Sequence, residues 1–352
     1  MKILSVDTSC DETSAAVCEN DRLLSNVVSS QIDLHSKWKG VVPIIAKRAH
    51  QERIDDVINE ALKRSGCKFH EIDFYAVTIG PGLAIALEVG IKKILELSKK
   101  YDKPIIPVNH MEGHIYSNFI KNRNGKYYNN LKKIKFPIVC LLISGGHTEI
   151  VLMNDHGEYQ LLGETLDDAV GEAFDKVARP LNLGYPGGPI IEDFARKGSP
   201  KFNLPLPMKR RKDFNFSYSG LKTACIIKIE ELKKEYGNNF YSIVPDFCAS
   251  FQKTITESLL FKIKKVLEKY EIKQILIGGG VIRNDYIRKM FRKELKNRAI
   301  DLVLPHKKFC TDNAAMIGVC AYYKVKRGEY FRNPNKIDRI PNLKIDEKIS
   351  LD

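Results

Sequence analysis

An apolar strand, a short polar turn and a second apolar strand occur twice in the chain, and this repeat restricts the fold more than any other feature. Residues 2–7 (KILSVD) run into DTSCDETS, after which apolar alternation resumes at Ala15-Ala16-Val17-Cys18. Much later, Ile138-Val139-Cys140-Leu141-Leu142-Ile143 meets the turn Ser144-Gly145-Gly146-His147-Thr148 and continues as Glu149-Ile150-Val151-Leu152-Met153. Period-two alternation broken by small and hydroxyl residues is a hairpin pattern. Two such hairpins in 352 residues call for two cores rather than one.

The rest of the chain predicts mixed α/β architecture. Helical spacing covers Ile54 to Ser65, Leu87 to Lys100, Leu166 to Leu181, Ile190 to Arg196, Phe247 to Tyr270 and Asp312 to Lys326. Strands are expected at Phe74 to Ile79, Pro104 to Val108, Gln274 to Ile277 and Leu302 to Leu304. Ser117 to Lys135 is polar, basic and rich in Asn and Tyr, so the domain boundary is placed there. From Tyr330 the chain carries Pro334, Pro341 and many charges, which predicts an irregular tail.

No stretch approaches the roughly 18 apolar residues that span a bilayer, and the start MKILSVDTSC has no signal-peptide layout, so a cytoplasmic protein is expected. The eight cysteines form no CxxC pair and read as reduced core residues. A net charge of +14 favours polyanionic partners, although a uniformly lysine-rich surface explains the number equally well. The local cluster Lys209-Arg210-Arg211-Lys212 precedes Phe214-Asn215-Phe216-Ser217-Tyr218, a layout able to hold phosphates and stack bases; Lys132-Lys133-Ile134-Lys135 is a second basic run.

Three turns suit phosphate binding through exposed backbone N–H groups: DTSCDET, SGGHT and the glycines of Ile277-Gly278-Gly279-Gly280, which lead to a helix near Asn284. Ordinary turn chemistry is the commoner role of any one of them; their recurrence points to a nucleotide. His110-Met111-Glu112-Gly113-His114 follows a strand, and if helical it sets two imidazoles one turn apart on one face, within reach of one metal ion. Two unrelated polar histidines fit that spacing equally well. Glu112 stands two places after His110, not one as in HExxH peptidases, and should point away from that face. Asp312 can supply a third ligand, although a helix-capping aspartate is the commoner reading of its position. Asp175 can hold a ribose hydroxyl and Gly188 can let a nucleotide lie against backbone, but a solvated helix residue and a turn glycine are the commoner readings.

The segments DTSCDET, KRAHQE, TIGPGL, VNHMEGH, LLISGGHTE, DDAVGEAFDKVA, YPGGP, FSYSGLKT, GGGVIRN and TDNAAMIG occur in that order. Together they resemble the TsaD family, the tRNA adenosine threonylcarbamoyltransferases formerly labelled O-sialoglycoprotein endopeptidases. The likeness covers about residues 2 to 327. It implies an α/β, actin-like ATPase (ASKHA) fold of two duplicated lobes with a nucleotide and metal site in the cleft. The lobes would be residues 1–125, completed by about 312–330, and residues 136–311, with 331–352 as a tail. It further implies one divalent ion, Fe(II) before Zn(II), on His110, His114 and Asp312. Leu142, Ile143, Ser144, Gly145 and Gly146 would line a threonylcarbamoyl-AMP pocket whose nucleotide end meets Asp175, Gly188, Glu192 and Asn284.

The implied reaction moves threonylcarbamoyl from that adenylate to the exocyclic amine of the adenosine 3′ of the anticodon, in tRNAs reading codons that begin with A. The partners implied are tRNA, a paralogous TsaB-type subunit and a TsaE-type ATPase, and no membrane. No general base stands out; Asp11 or Glu12 can serve or can merely organise the first turn. Two departures from the family pattern are visible. Ile44 follows Val41-Val42-Pro43 where relatives carry an acidic residue, and Lys121 to Lys135 is longer and more basic than usual, either as extra tRNA surface or as an insertion without a role. A metalloprotease, a kinase of the same superfamily and a noncatalytic scaffold are the competing readings.

Overall fold

The computed structural model describes every residue except 37, 39, 297, 333–336, 351 and 352. In chain order the strands are β1 (Lys2–Asp7), β2 (Glu12–Glu19), β3 (Arg22–Ser30), β4 (Phe74–Gly80), β5 (Ile105–Asn109), β6 (Ile138–Ile143), β7 (Thr148–Asp155), β8 (Glu158–Glu164), β9 (Gln274–Gly278) and β10 (Asp301–Val303). The helices are α1 (Ile32–Ser36), α2 (Pro43–Ser65), α3 (Ala84–Tyr101), α4 (His110–Tyr116), α5 (Val170–Ala178), α6 (Gly187–Ala195), α7 (Ser219–Tyr236), α8 (Val244–Lys269), α9 (Asp285–Lys296) and α10 (Ala314–Lys326).

Both hairpins of the sequence are present, each at the centre of a five-stranded sheet. One sheet has the order β3-β2-β1-β4-β5 and the other β10-β9-β6-β7-β8. In each, the hairpin is antiparallel (β1 with β2, β6 with β7) and its first strand pairs in parallel with a strand from later in the chain, β4 or β9. β1 and β6 are almost wholly buried, as a strand covered on both faces must be.

The chain clusters into two compact units. The first comprises residues 1–134, 155–159 and 303–352; the second comprises 135–154 and 160–302. In the first unit, α2 and α3 pack against one sheet face through Ile54, Ile58, Leu87 and Ile94, and α10 contacts β1 and β2. In the second, α8 is the central helix, with Phe247, Phe251, Ile255 and Ile263 fully buried. All eight cysteines are free, and most are buried. The tail contains no helix or strand among its described residues; positions 333–336, with Pro334, lie outside them.

Two expectations need correction. The helix expected over Leu166 to Leu181 forms only over Val170–Ala178, because Asp167 is occupied as an acceptor for the Tyr218 and Ser219 backbone N–H groups at 2.7 and 3.2 Å. A side chain that satisfies another segment's backbone competes with helix at its own position. Of the aromatics after Lys209-Arg210-Arg211-Lys212, Phe216 and Tyr218 are not available for stacking either, since both are buried and Tyr218 Oη meets Ser258 Oγ at 3.0 Å, while Phe214 is half-buried.

One packing detail carries a pH dependence. His156 stacks on Tyr323 with ring centroids 4.3 Å apart, and its Nδ1 is hydrogen-bonded with the Tyr116 hydroxyl at 2.9 Å. Burial, with the charges of Arg327 and Lys326 adding to it, pushes the imidazole from its ordinary 6.5 down to about 4. The unfolded chain therefore takes up this proton at higher pH than the folded one. Stability should fall as pH drops from about 6.5 to about 4 and level off from this source below that. Urea unfolding across that range should show a smaller loss for His156→Phe than for the wild type.

Candidate metal and nucleotide sites

The candidate metal centre lies within the first unit. Parallel pairing of β5 with β4 buries Ile105 to Asn109, and Asn109 ends the strand and starts α4: its Oδ1 accepts from the Met111 and Glu112 N–H groups at 2.8 and 3.3 Å. An Asn N-cap satisfies donors that the first helical turn leaves unpaired. The resulting helix places His110 and His114 on one face, ring centroids 4.7 Å apart. Capping of α10 falls to Asn313, whose Oδ1 accepts from Met316 N at 3.2 Å. Asp312 precedes the cap and is not part of the helix.

The ligand atoms of His110, His114 and Asp312 all lie within 4.8 Å of one another. Asp312 Oδ1 is 3.3 Å from His110 Nε2 and 3.2 Å from His114 Nε2. Yet neither nitrogen of the fully buried His114 makes a hydrogen bond, because the short approach to Asp312 lacks donor geometry. Buried polar atoms without partners are costly and rare. Two imidazole rings one helical turn apart, with a carboxylate oxygen within 3.3 Å of the Nε2 atom of each and the His114 nitrogens otherwise unpartnered, form an N,N,O donor set that fits a divalent ion.

The surroundings orient the set. His110 Nδ1 is 3.1 Å from Ser9 Oγ and 3.4 Å from Asp7 Oδ2, while Asp7 Oδ1 accepts from Ser9 N at 3.1 Å. Among the described residues Asp7 Oδ2 makes no hydrogen bond of its own, so the partner of Nδ1 is Ser9 Oγ, and an Nδ1 proton donated to it leaves Nε2 as the ligand atom. Without an ion, burial lowers His110 but the Asp312 and Asp7 carboxylates outweigh it and raise the imidazole well above its usual range. Burial lowers His114, and Asp312, although burial opposes this, is held far below the carboxylate range by the two histidines. Burial, Asp312 and Asp11 push Glu12 well up.

Glu112 is turned off the metal face. Its Oε1 accepts from Tyr159 Oη at 3.0 Å and from Arg327 at 3.3 Å, and its Oε2 is 3.6 Å from Lys324 Nζ. These contacts tie α4 to α10, and Gly113 lets the two helices approach: a Cβ there would meet Ile317 Cδ1 at 2.8 Å. Sequence reasoning missed Asp7, Ser9 and His50. His50 Nδ1 is 2.8 Å from Thr13 Oγ1 and its Nε2 donates to the Cys10 carbonyl at 3.1 Å, fixing the first turn; only its place in KRAHQE hinted at a role.

The candidate nucleotide site lies within the second unit. After β6, Ser144 N donates to the His147 carbonyl at 2.9 Å and His147 N donates to Ser144 Oγ at 3.1 Å, closing a tight turn beyond the buried Leu142 and Ile143. Gly145 and Gly146 are exposed, and a Cβ on either would meet nothing within 4 Å. Their carbonyl side is held by α5, whose Gly171 and Glu172 N–H groups donate to Ser144 O and Gly145 O at 3.2 Å each.

Asp175, one turn along α5, accepts from Gly187 N at 2.7 Å, which joins it to the start of α6 beside Gly188; burial raises its carboxyl. Gly188 itself is open, with Phe174 Cβ at 4.0 Å from a Cβ there. Glu192 and Asn284 meet at the start of α9. Glu192 Oε1 accepts from Asp285 N at 2.8 Å, and Asn284 Oδ1 accepts from Ile287 N at 3.0 Å while its Nδ2 donates to Gln252 Oε1 at 2.7 Å. These side chains already serve the helix start. The exposed glycine amides and the open space at Gly188 are what remain for a ligand.

Comparison with known proteins gives a consistent answer. Residues 22–319 match the family model described as TsaD: tRNA N6-adenosine threonylcarbamoyltransferase. A protein of that name from Thermosipho africanus is 44% identical over 348 residues, covering 98% of this chain and all of the relative. One from Halalkalibacterium halodurans is 45% identical over 326 residues, covering 92% and 91%. Among solved structures, HypF of T. kodakarensis matches at TM-score 0.60 and 13% identity, over 93% of this chain and 48% of that one. The activator of 2-hydroxyisocaproyl-CoA dehydratase from Clostridium difficile matches at 0.52 and 12%, over 93% and 97%. At that identity the likeness shows the fold alone, an α/β fold of the actin-like ATPase type.

Proposed function

The chain belongs to the tRNA N6-adenosine threonylcarbamoyltransferase (TsaD) family and is an enzyme of that class, and on that premise we propose that it transfers threonylcarbamoyl from threonylcarbamoyl-AMP to the adenosine 3′ of the anticodon. The single observation that carries this is the convergence of His110, His114 and Asp312, two buried imidazoles and a half-buried carboxylate with ligand atoms within 4.8 Å of one another and both His114 nitrogens unpartnered among the described residues. In the reaction a C–N bond forms to the exocyclic amine, the bond from the carbamoyl carbon to the phosphate oxygen breaks, the amine gives up a proton and AMP leaves.

His110, His114 and Asp312 would hold one divalent ion, Fe(II) first and Zn(II) second, a donor set common to both metals. When bound, that ion supplies Lewis acidity toward a carbonyl and orients it. Ser9, accepting from Nδ1, would keep His110 in the tautomer that presents Nε2. The amides of Gly145 and Gly146 would receive the adenylate phosphate, with Asp175, Gly188, Glu192 and Asn284 bounding the nucleotide end. An unpaired loop adenosine reaches a site without duplex opening. The working partners are tRNA, a TsaB-type subunit and a TsaE-type ATPase, in the cytoplasm; among the described residues no helix is long and apolar enough to cross a membrane.

An HExxH-type peptidase reading needs the helix's own glutamate at the metal face as general base, and Glu112 is held by Arg327 and Lys324 instead. The test is transfer of labelled threonylcarbamoyl from the adenylate to unmodified tRNA, with partner subunits present. Transfer should disappear on chelation and return with Fe(II) or Zn(II). Absence of transfer under every metal and partner condition would overturn the proposal.

A further inference from the structure

The basic segment after Lys121 is folded against the first unit and builds a groove with no part in the sites above. Leu23 N donates to the Lys121 carbonyl at 2.8 Å, and Arg123 donates through Nη2 to the carbonyls of Leu24 and Arg64 at 2.8 and 2.9 Å. Tyr128 stacks edge-on against Phe309 with centroids 5.0 Å apart. Between this segment, the outer strand β3 and the turn at 307–309 lies a groove of about 420 Å³ lined by Ser25, Asn26, Asn122, Arg123, Tyr128 and Lys308 among others.

Its chemistry is one-sided. Among the described residues, the lining contains two cations and no carboxylate. The exposed Lys308 has its ammonium 3.9 Å from the centroid of the Tyr128 ring and 4.7 Å from that of Phe309, and no carboxylate pairs with it among the described residues. A cation held over aromatic rings is positioned without being neutralised. Asn122 Oδ1 accepts from Asn124 N and Lys126 N at 2.9 and 3.1 Å, and Asn26 Oδ1 accepts from Ala315 N at 3.2 Å, which leaves the NH₂ group of each as a donor. Charged donors, amide donors and one aromatic ring together suit a phosphodiester with its sugar. The groove is also close to the chemistry in the chain: Phe309 is three residues before Asp312, and Asn26 holds the first turn of α10.

We infer that this groove is a docking site for the sugar-phosphate backbone of the tRNA substrate, anchored by Lys308 with Arg123 and the Asn122 and Asn26 amides. The inference rests on the tRNA-modifying function proposed above and adds where the RNA is gripped. Arg123 supports the fold of the segment through two carbonyls, so Lys308 is the residue to change. Neutralising one phosphate contact releases about one counterion fewer on binding, which the salt dependence reads directly.

The experiment is tRNA filter binding over a salt series with wild type, Lys308→Glu and Lys308→Arg, alongside metal content and steady-state transfer. The glutamate variant should bind tRNA about tenfold more weakly near 0.1 M salt, with a log–log salt slope shallower by about one. KM for tRNA should rise with kcat and metal content unchanged, and the arginine variant should bind like wild type. Unchanged affinity and slope in Lys308→Glu would overturn the site, and so would weaker binding with an unchanged slope, which marks a structural defect. If tRNA binding is unchanged but thermal stabilisation of the wild type by inorganic phosphate is lost in Lys308→Glu, the groove takes small anions and the tRNA assignment fails. Wild-type protein that binds tRNA yet transfers nothing would count against the proposed function alone, since the slope comparison needs only binding.

Discussion

Replacing His114 or Asp312 with alanine should lower threonylcarbamoyl transfer by more than about 100-fold, because loss of even an outer partner of a metal ligand costs 10–100-fold. The folded chain should survive both changes. His114 is fully buried, but its two nitrogens make no hydrogen bonds whose loss would destabilise the fold. Removing Asp312 takes away the carboxylate that both histidines face, while the helix start remains capped by Asn313. The distinguishing measurement is therefore the rise in melting temperature on adding Fe(II) or Zn(II). An ion that binds only the folded state stabilises by RT ln(1 + [M]/Kd), about 2.7 kcal/mol at a hundred times Kd. Wild type should show that rise and both variants should lose it, together with bound metal measured after gel filtration. A variant that keeps the rise but loses transfer would make the triad something other than a metal centre.

Much of the candidate metal centre's arrangement was legible because helix periodicity is a local property. Two histidines four apart after a strand must share a face once Asn109 starts the helix, and Glu112 two places on must leave it. Asp312 was harder, since a single aspartate before a helix reads most simply as its cap; only the structure shows that Asn313 takes that role. Asp7 and Ser9 were invisible as parts of the centre because their approach to His110 spans about a hundred residues of sequence and depends on β1 lying beside β4 and β4 beside β5. The same limit explains the helix that begins late. Nothing near Asp167 announces that its carboxylate belongs to Tyr218 and Ser219, some fifty residues away. The Phe216 and Tyr218 rings failed as base-stacking candidates for a related reason: composition shows aromatics beside cations but not which way the sheet and α8 bury them.

Gly145, in the candidate nucleotide turn after β6, and Gly279, in the glycine turn after β9, should respond in opposite ways to the same added methyl group, and the contrast tests whether the first turn is a built site. Gly279 has φ +96°, and a Cβ there would lie 2.3 Å from the Ile143 carbonyl oxygen and 2.6 Å from its carbon, both backbone atoms at the end of β6. Backbone cannot swing aside as a side chain can, so Gly279→Ala combines left-handed strain with overpacking. It should cost about 2–4 kcal/mol by urea unfolding. Gly145 is the reverse case: its Cβ would meet nothing within 4 Å and its φ is not in the left-handed region, so Gly145→Ala should change stability by less than about 0.5 kcal/mol. Open space beside a glycine in an otherwise tight turn serves no packing purpose, and the function proposed for it is close approach of an adenylate phosphate. Gly145→Ala should then weaken adenylate binding by about tenfold or more with the fold intact, read as Kd by calorimetry. A Gly145→Ala protein that binds adenylate as tightly as wild type would move the phosphate off this turn, whatever Gly279→Ala does to stability.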